Sequence, residues 1–144
     1  MDADTVIAAL GLTPHPEGGA YRETVREPDP RGGRDLMSCI YFLLRAGEVS
    51  HWHRVDALEV WHHHAGAPLT LAVSPDGHAV TRTVLGADLA AGQRPQATVP
   101  AHHWQAAASH GAWTLIGATV SPAFTFAGFE LAGGGTGPDL PVLG

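Results

Sequence analysis

The sequence contains no lysine. That removes Schiff-base catalysis and covalent attachment of pyridoxal phosphate, both of which need a lysine amine. All eight basic residues are arginines, scattered along a chain of formal net charge -6 and pI near 5.9. Phosphate backbones require a concentrated basic stripe, so nucleic acid is excluded as an expected partner. The single cysteine, Cys39, has no internal disulfide partner. It sits in the apolar run LMSCIYFLL and reads as a small core residue. No apolar run approaches the ~18 residues of a membrane span. The first residues, MDADTVIAALGL, lack the basic region of a signal peptide. A soluble cytoplasmic protein without a membrane partner is expected. Charged residues are also sparse, at 15% against 44% hydrophobic, which is the balance of a globular chain.

A length of 144 residues suggests a single domain. Residues 4–10 carry Val6, Ile7 and Leu10 at the spacing of one helix face, and Gly11 is a stop. TPHPEGGAYRET begins with turn residues and becomes extended, and EPDPRGGRD is a loop. From Leu36 short apolar runs recur: LMSCIYFLL, EVSHWH, ALEVWHHH, LTLAVS, AVTRTVL, QATVP, WQAAA, WTLIGATV and FTFAGFEL. Breakers separate them, and Asp76-Gly77 suits a tight primed hairpin turn. Such spacing predicts an all-β sandwich or barrel over residues 1–132 with a short N-terminal helix. The Gly/Pro-rich tail at 133–144 is set apart by composition.

Five of the ten histidines lie between Ser50 and Gly66, in SHWHRVDALEVWHHHAG. Strand side chains alternate between faces, so His51 and His53 should point the same way. Glu59, Trp61 and His63 should share one face of the next run, with His62 and His64 on the other. Convergence of His51, His53 and Glu59 would give two imidazoles and a carboxylate. That set suits Fe, Mn, Ni or Zn, or without metal a general acid/base cluster. His62, His64, His15, His78 and His110 read as structural, and Arg54 as one half of an ion pair. In PHPEGGAYRET, either Glu23 or Arg22 faces a polar ligand at a pocket mouth, or the segment is a turn and a charged edge strand. Trp61 is placed as an interior aromatic wall. Trp104 should point away from Gln105. Tyr41 is a candidate to present its hydroxyl to the pocket.

The same blocks resemble a cupin. Gly47, His51-x-His53, Glu59 and Gly66 match the residue types of the first cupin motif, G-x5-H-x-H-x3,4-E-x6-G. The six-residue step from Glu59 to Gly66 fits. Two spacings depart: three residues lie between Gly47 and His51, and five between His53 and Glu59. GQRPQATVPAHHWQAA resembles the second motif, which places Gln105 where typical cupins carry their fourth metal-ligating histidine. Closer still is the branch known as cupin family 5. Here LTPHPEGGAYRET, IYFLL, SHWHR, EVW, GAPL, VLG, VPAHHWQAA and SPAFTFAGFEL appear in the order of that family's blocks. Relatives often carry Asp before the glutamate, where this chain has Leu58, and a glycine where it has His102. The resemblance implies a jelly-roll β-barrel (double-stranded β-helix), a homodimer, and a small-molecule ligand inside the barrel.

On this reading His53 and Glu59 are the catalytic pair, with His53 as general base. In the metal-assisted form of the reading, His51, His53, Glu59 and Gln105 instead hold one divalent ion that polarises the substrate oxygen; in the acid/base form there is no cofactor. Trp61, Gln105, Glu23, Tyr41 and His63 contact substrate. The chemistry expected is isomerisation or epimerisation of a sugar-like or hydroxy/keto-acid substrate. The alternative is a non-catalytic ligand-binding barrel.

Overall fold

The computed structural model describes residues 1–133. Helix α1 (Ala3–Leu10) opens the chain. The Asp2 carboxylate caps it by accepting the Thr5 N–H at 2.8 Å, and Gly11 closes it in the left-handed region at φ 66°. Its buried face, Ala3 and Val6, packs on Leu12 and Leu43.

Eleven strands follow: β1 (Thr13–Pro14), β2 (Ala20–Glu27), β3 (Met37–Arg45), β4 (Val49–Val55), β5 (Leu58–Gly66), β6 (Leu69–Ser74), β7 (Thr81–Leu85), β8 (Gln96–Val99), β9 (Trp104–Ser109), β10 (Trp113–Ser121) and β11 (Phe129–Leu131). They form two antiparallel sheets, ordered β1-β2-β3-β10-β5-β8 and β11-β4-β9-β6-β7. This is the expected all-β jelly roll with a short N-terminal helix. No helix among the described residues is long and apolar enough to cross a membrane.

Strand alternation gives each sheet an inner face. Along β3 the inward residues run Ser38, Ile40, Phe42, Leu44; along β5 they begin Glu59, Trp61; along β10 they run Val120, Ala118, Ile116. In each strand one end is packed and the other is open. Phe42, Leu44, Trp61, Ile116 and Ala118 join Leu69, Leu71, Leu85 and Ala107 in the main core. Burying a Leu or Phe contributes roughly 1.5–3 kcal/mol, so the packed half anchors both sheets. Ser38, Ile40, Glu59 and Val120 line a cavity of about 510 Å³ at the other half.

Three local expectations differ from the structure. Asp76-Gly77 does not form a two-residue primed turn. Only Gly77 has positive φ (82°), and the Asp76 carboxylate accepts the N–H groups of His78 and Ala79 in a longer loop. FTFAGFEL is not one strand: Phe126–Gly128 is a turn of 3-10 helix and only Phe129–Leu131 is extended. Cys39 is half-buried on the outer face of β3 rather than in the core, because its neighbours Ser38 and Ile40 take the inward positions. The tail expected at 133–144 lies, beyond its first residue, outside the described residues.

Candidate functional site

The site begins with an irregularity in β4. Ser50 pairs with Ala107 and His53 with Gln105, so three steps on β4 match two on β9. The extra residue is a β-bulge, and it reverses the alternation. His53 turns inward and is 3% exposed, whereas His51 turns out to solvent. The expected pairing of His51 with His53 therefore fails. His51 contributes only backbone: its N–H donates to the Glu17 carbonyl at 2.8 Å, and its carbonyl accepts from His53 Nδ1 at 2.7 Å.

That carbonyl fixes the protonation of His53. A carbonyl only accepts, so Nδ1 carries a hydrogen. The other ring nitrogen, Nε2, lies 2.8 Å from Glu17 Oε2. With Glu17 ionised its oxygen also only accepts, so the ring carries a second proton and the two form an imidazolium–carboxylate pair. Burial opposes the His53 charge but is outweighed by the charge and hydrogen bond of Glu17, then by Glu59 and the His51 carbonyl, and the pKa is raised to about 9. Burial likewise works against the Glu17 charge, but His53, and to a lesser degree His15, hold its carboxyl below the usual range. The Ser50 hydroxyl, wholly buried beside this pair, makes no hydrogen bond of standard geometry but lies close enough to favour the Glu17 anion.

Glu17 reaches this position through the turn of residues 15–19. His15 N–H donates to the Gly19 carbonyl at 2.9 Å and Gly18 N–H to the His15 carbonyl at 3.1 Å. Gly18 and Gly19 take φ 102° and 80°. A Cβ at Gly18 would collide with the Val49 carbonyl, so only glycine lets this turn lie against β4.

On the facing sheet, β5 presents Glu59. Gln105 Nε2 donates to Glu59 Oε1 at 2.8 Å, and Trp61 Nε1 donates to Gln105 Oε1 at 2.9 Å. An indole N–H can only donate, so Trp61 fixes which end of the Gln105 amide faces Glu59. Glu59 then accepts on Oε1, and Oε2 is the oxygen free to carry a proton. Burial pushes the Glu59 pKa up, His53 pulls it down, Glu17 adds to the rise, and the Gln105 hydrogen bond opposes it; the net value is about 7.

The structure thus brings His53, Glu59, Gln105 and Trp61 together, with Gln105 and Trp61 buried behind Glu59. Glu23 lines the cavity mouth but is tied to Arg26, whose Nε donates to it at 2.9 Å. Arg22 also borders the cavity and donates to the Leu10 carbonyl at 3.2 Å. Tyr41 does not reach the cavity. It lies on the outer face of β3, where it packs under α1 and edge-on to His64. His63 does not either: its Nε2 bonds the Ala67 carbonyl at 3.0 Å at the far end of β5. His62 and His64 stack on the outer face. Arg54 pairs with Glu130 at 2.7 Å and covers the Trp104 ring. Sequence reasoning missed Glu17 and His15 as site residues. The signal for Glu17 was the Gly18-Gly19 pair beside it, which demands close backbone approach.

The donor set does not fit a resident metal. Both nitrogens of His53 carry protons, the Gln105 oxygen is taken by Trp61, and His51 is on the surface. Among the described residues no group of three or more His, Cys, Asp or Glu side chains is placed to hold a metal ion.

Residues 4–132 match the family described as Cupin superfamily (DUF985). The chain is a cupin. This cupin is similar to protein SO0799 from Shewanella oneidensis, with 48% identity, 91% of this chain and 84% of that chain covered, and a TM-score of 0.84. It is also similar to a hypothetical protein from Leishmania major, at 32% identity, 90% and 86% coverage and a TM-score of 0.82. Oxalate decarboxylase from Bacillus subtilis shares the fold at 9% identity, 83% and 29% coverage and a TM-score of 0.63. Among curated proteins, none is significantly similar to this cupin in sequence.

Proposed function

We propose that this cupin is a small-molecule enzyme of isomerase or epimerase type, acting by proton transfer on a sugar-like or hydroxy/keto-acid substrate. One observation carries the reading: two cavity carboxylates are driven in opposite directions around one imidazolium. Glu17 is held ionised and Glu59 is raised to about 7. Groups separated in this way are suited to act as base and acid in one site.

Glu17 replaces His53 as the base in this scheme, since both His53 nitrogens are occupied and Glu17 Oε1 is not bound to His53. Glu17 takes the proton from the carbon next to a carbonyl. The C–H electron pair forms the C=C bond, and the carbonyl π pair moves to oxygen. Glu59 returns a proton to carbon as the carbonyl reforms, so the product is an isomer. His53 stays protonated and steadies the anion on Glu17. Proton exchange with solvent then resets the two carboxyls. We also propose, from the family resemblance, that the working unit is a homodimer, which sedimentation would test.

The test is incubation with a panel of keto sugars and 2-oxo acids in D₂O, followed by ¹H NMR. Loss of an α-proton signal is expected for one class, and conversion to the isomer should slow about 10²–10⁴-fold in Glu59→Gln, which has no proton to return to carbon. A ligand that raises the melting temperature but exchanges no proton would instead establish a binding cupin. The closed ion pair of Glu17 with His53 is what favours that second reading.

A further inference from the structure

The cavity holds one more polar group that the scheme above does not use. His15 lines the same wall as Glu17, and its side chain is only 7% exposed. Its ring is clamped edge-on between Tyr21, at 4.5 Å between centroids, and Phe42, at 5.6 Å. The Glu17 backbone N–H donates to His15 Nδ1 at 3.1 Å. A backbone N–H has nothing to accept with, so Nδ1 must present its lone pair. The ring proton is therefore on Nε2. Among the described residues, that Nε2–H has no hydrogen-bond acceptor. Nε2 is not wholly buried: among the described residues the one wholly buried side-chain polar atom without a partner is Ser50 Oγ. On this cavity-lining side chain Nε2–H therefore meets the solvent of the cavity and is open to an acceptor placed there.

We propose that His15 is the electrophile of this site: a neutral imidazole whose Nε2–H donates to the substrate's carbonyl oxygen and to the enolate oxygen formed from it. The proposal rests on the proton-transfer reading of the cavity. It narrows the substrate class to ketones, aldehydes or 2-oxo acids with a hydrogen on the adjacent carbon.

Three features support this role. First, becoming a cation would cost His15 its bond from Glu17 N–H, and burial with the nearby His53 charge also disfavours it, against a smaller pull from Glu17. A donor that stays neutral stabilises a developing oxyanion without first surrendering a proton. Second, acid, base and donor remain separate groups, because Glu59 and Glu17 handle the carbon-bound proton. Third, His15 and Glu17 sit on one glycine-set turn and line the same cavity, tied together by the bond from Glu17 N–H to His15 Nδ1, so donor and base are positioned by one rigid element.

The test uses ¹⁵N-labelled full-length protein and acetohydroxamate, a planar mimic of an enediol, as the probe. In the free protein His15 should show the Nε2–H tautomer and stay neutral at pH 7. The probe should move the Nε2–H resonance. His15→Phe should weaken probe binding roughly tenfold or more, and His15→Gln, which retains an N–H donor, should restore most of it. An Nδ1–H tautomer, or a cation at pH 7, overturns the proposal. So does a probe that shifts the Glu59 carboxyl resonance but leaves His15 Nε2–H unmoved; the Glu17–Glu59 reading then survives with His15 as a packing residue. A probe that moves neither group, with no α-proton exchange across the panel, overturns both. If His15→Phe does not fold, the tautomer and the probe-induced shift in wild-type protein still decide.

Discussion

Three buried groups, Glu17, His53 and Glu59, titrate together, because burial leaves too little water for any of them to hold its charge independently. The Gln105 amide is the lever on the third of them. Its hydrogen bond favours the ionised form of Glu59, so Gln105→Ala should raise the Glu59 midpoint above its value of about 7. Titration of the side-chain carboxyl by ¹³C NMR reads this directly. The ion pair also shapes stability against pH. His53 is raised to about 9 in the fold, so its contribution is full below the unfolded value of about 6.5 and is lost as pH rises through 9. Glu59, raised to about 7, acts in the same direction over a more acidic window. Glu17 is lowered and acts the other way, its contribution fading only as pH falls through the acid range. The urea midpoint should therefore decline from about pH 6.5 to 9. Glu17→Gln should flatten that decline and cost roughly 3–5 kcal/mol, because it leaves a buried imidazole without its counter-charge.

Two short irregular elements build the site, and both depend on backbone rather than side-chain pattern. The bulge in β4 inverts the alternation between Ser50 and His53, delivering His53 inward and sending His51 out. The turn at residues 15–19 presses Glu17 against that bulge, where the Glu17 carbonyl takes the His51 N–H. Gly18 is the point of closest approach. Gly18→Ala meets both positive φ and the Val49 carbonyl, so a loss above about 2 kcal/mol is expected. Its distinguishing sign would be a fall in the His53 midpoint as Glu17 withdraws. Chemical denaturation together with histidine NMR would check both.

Taken whole, the barrel is packed at one end and open at the other, and its chemistry sits at the boundary. In this cupin the barrel interior pairs a protonated His53 with the Glu17 carboxylate. Added Mn²⁺, Ni²⁺ or Zn²⁺ should therefore leave the His53 and Glu59 resonances unmoved at neutral pH. A shift of both on adding one of these ions would show that the metal can displace Glu17.

Much of the fold was legible in the chain: the helix stop at Gly11, the recurring apolar runs, and the ordered blocks from LTPHPEGG to FAGFEL. Alternation also assigned Glu59 and Trp61 correctly to one face, and Trp104 to the face opposite Gln105, because β5 and β9 run regularly through those positions. These features are local, and local propensity and periodicity are written in consecutive residues. What the sequence could not reveal was the bulge that separates His51 from His53, since a bulge is a mismatch between two strands and neither strand encodes it alone. Nor could it show that Tyr41 packs outward under α1. The partner of His53 was equally hidden. Glu17 lies 36 positions earlier in the chain, and only the meeting of a glycine turn with a bulged strand places its carboxylate on the imidazole. Sequence determined the barrel and the residue types inside it; the tertiary structure decided which of them share protons, because proton sharing depends on contact distances and burial that only the packed sheets supply.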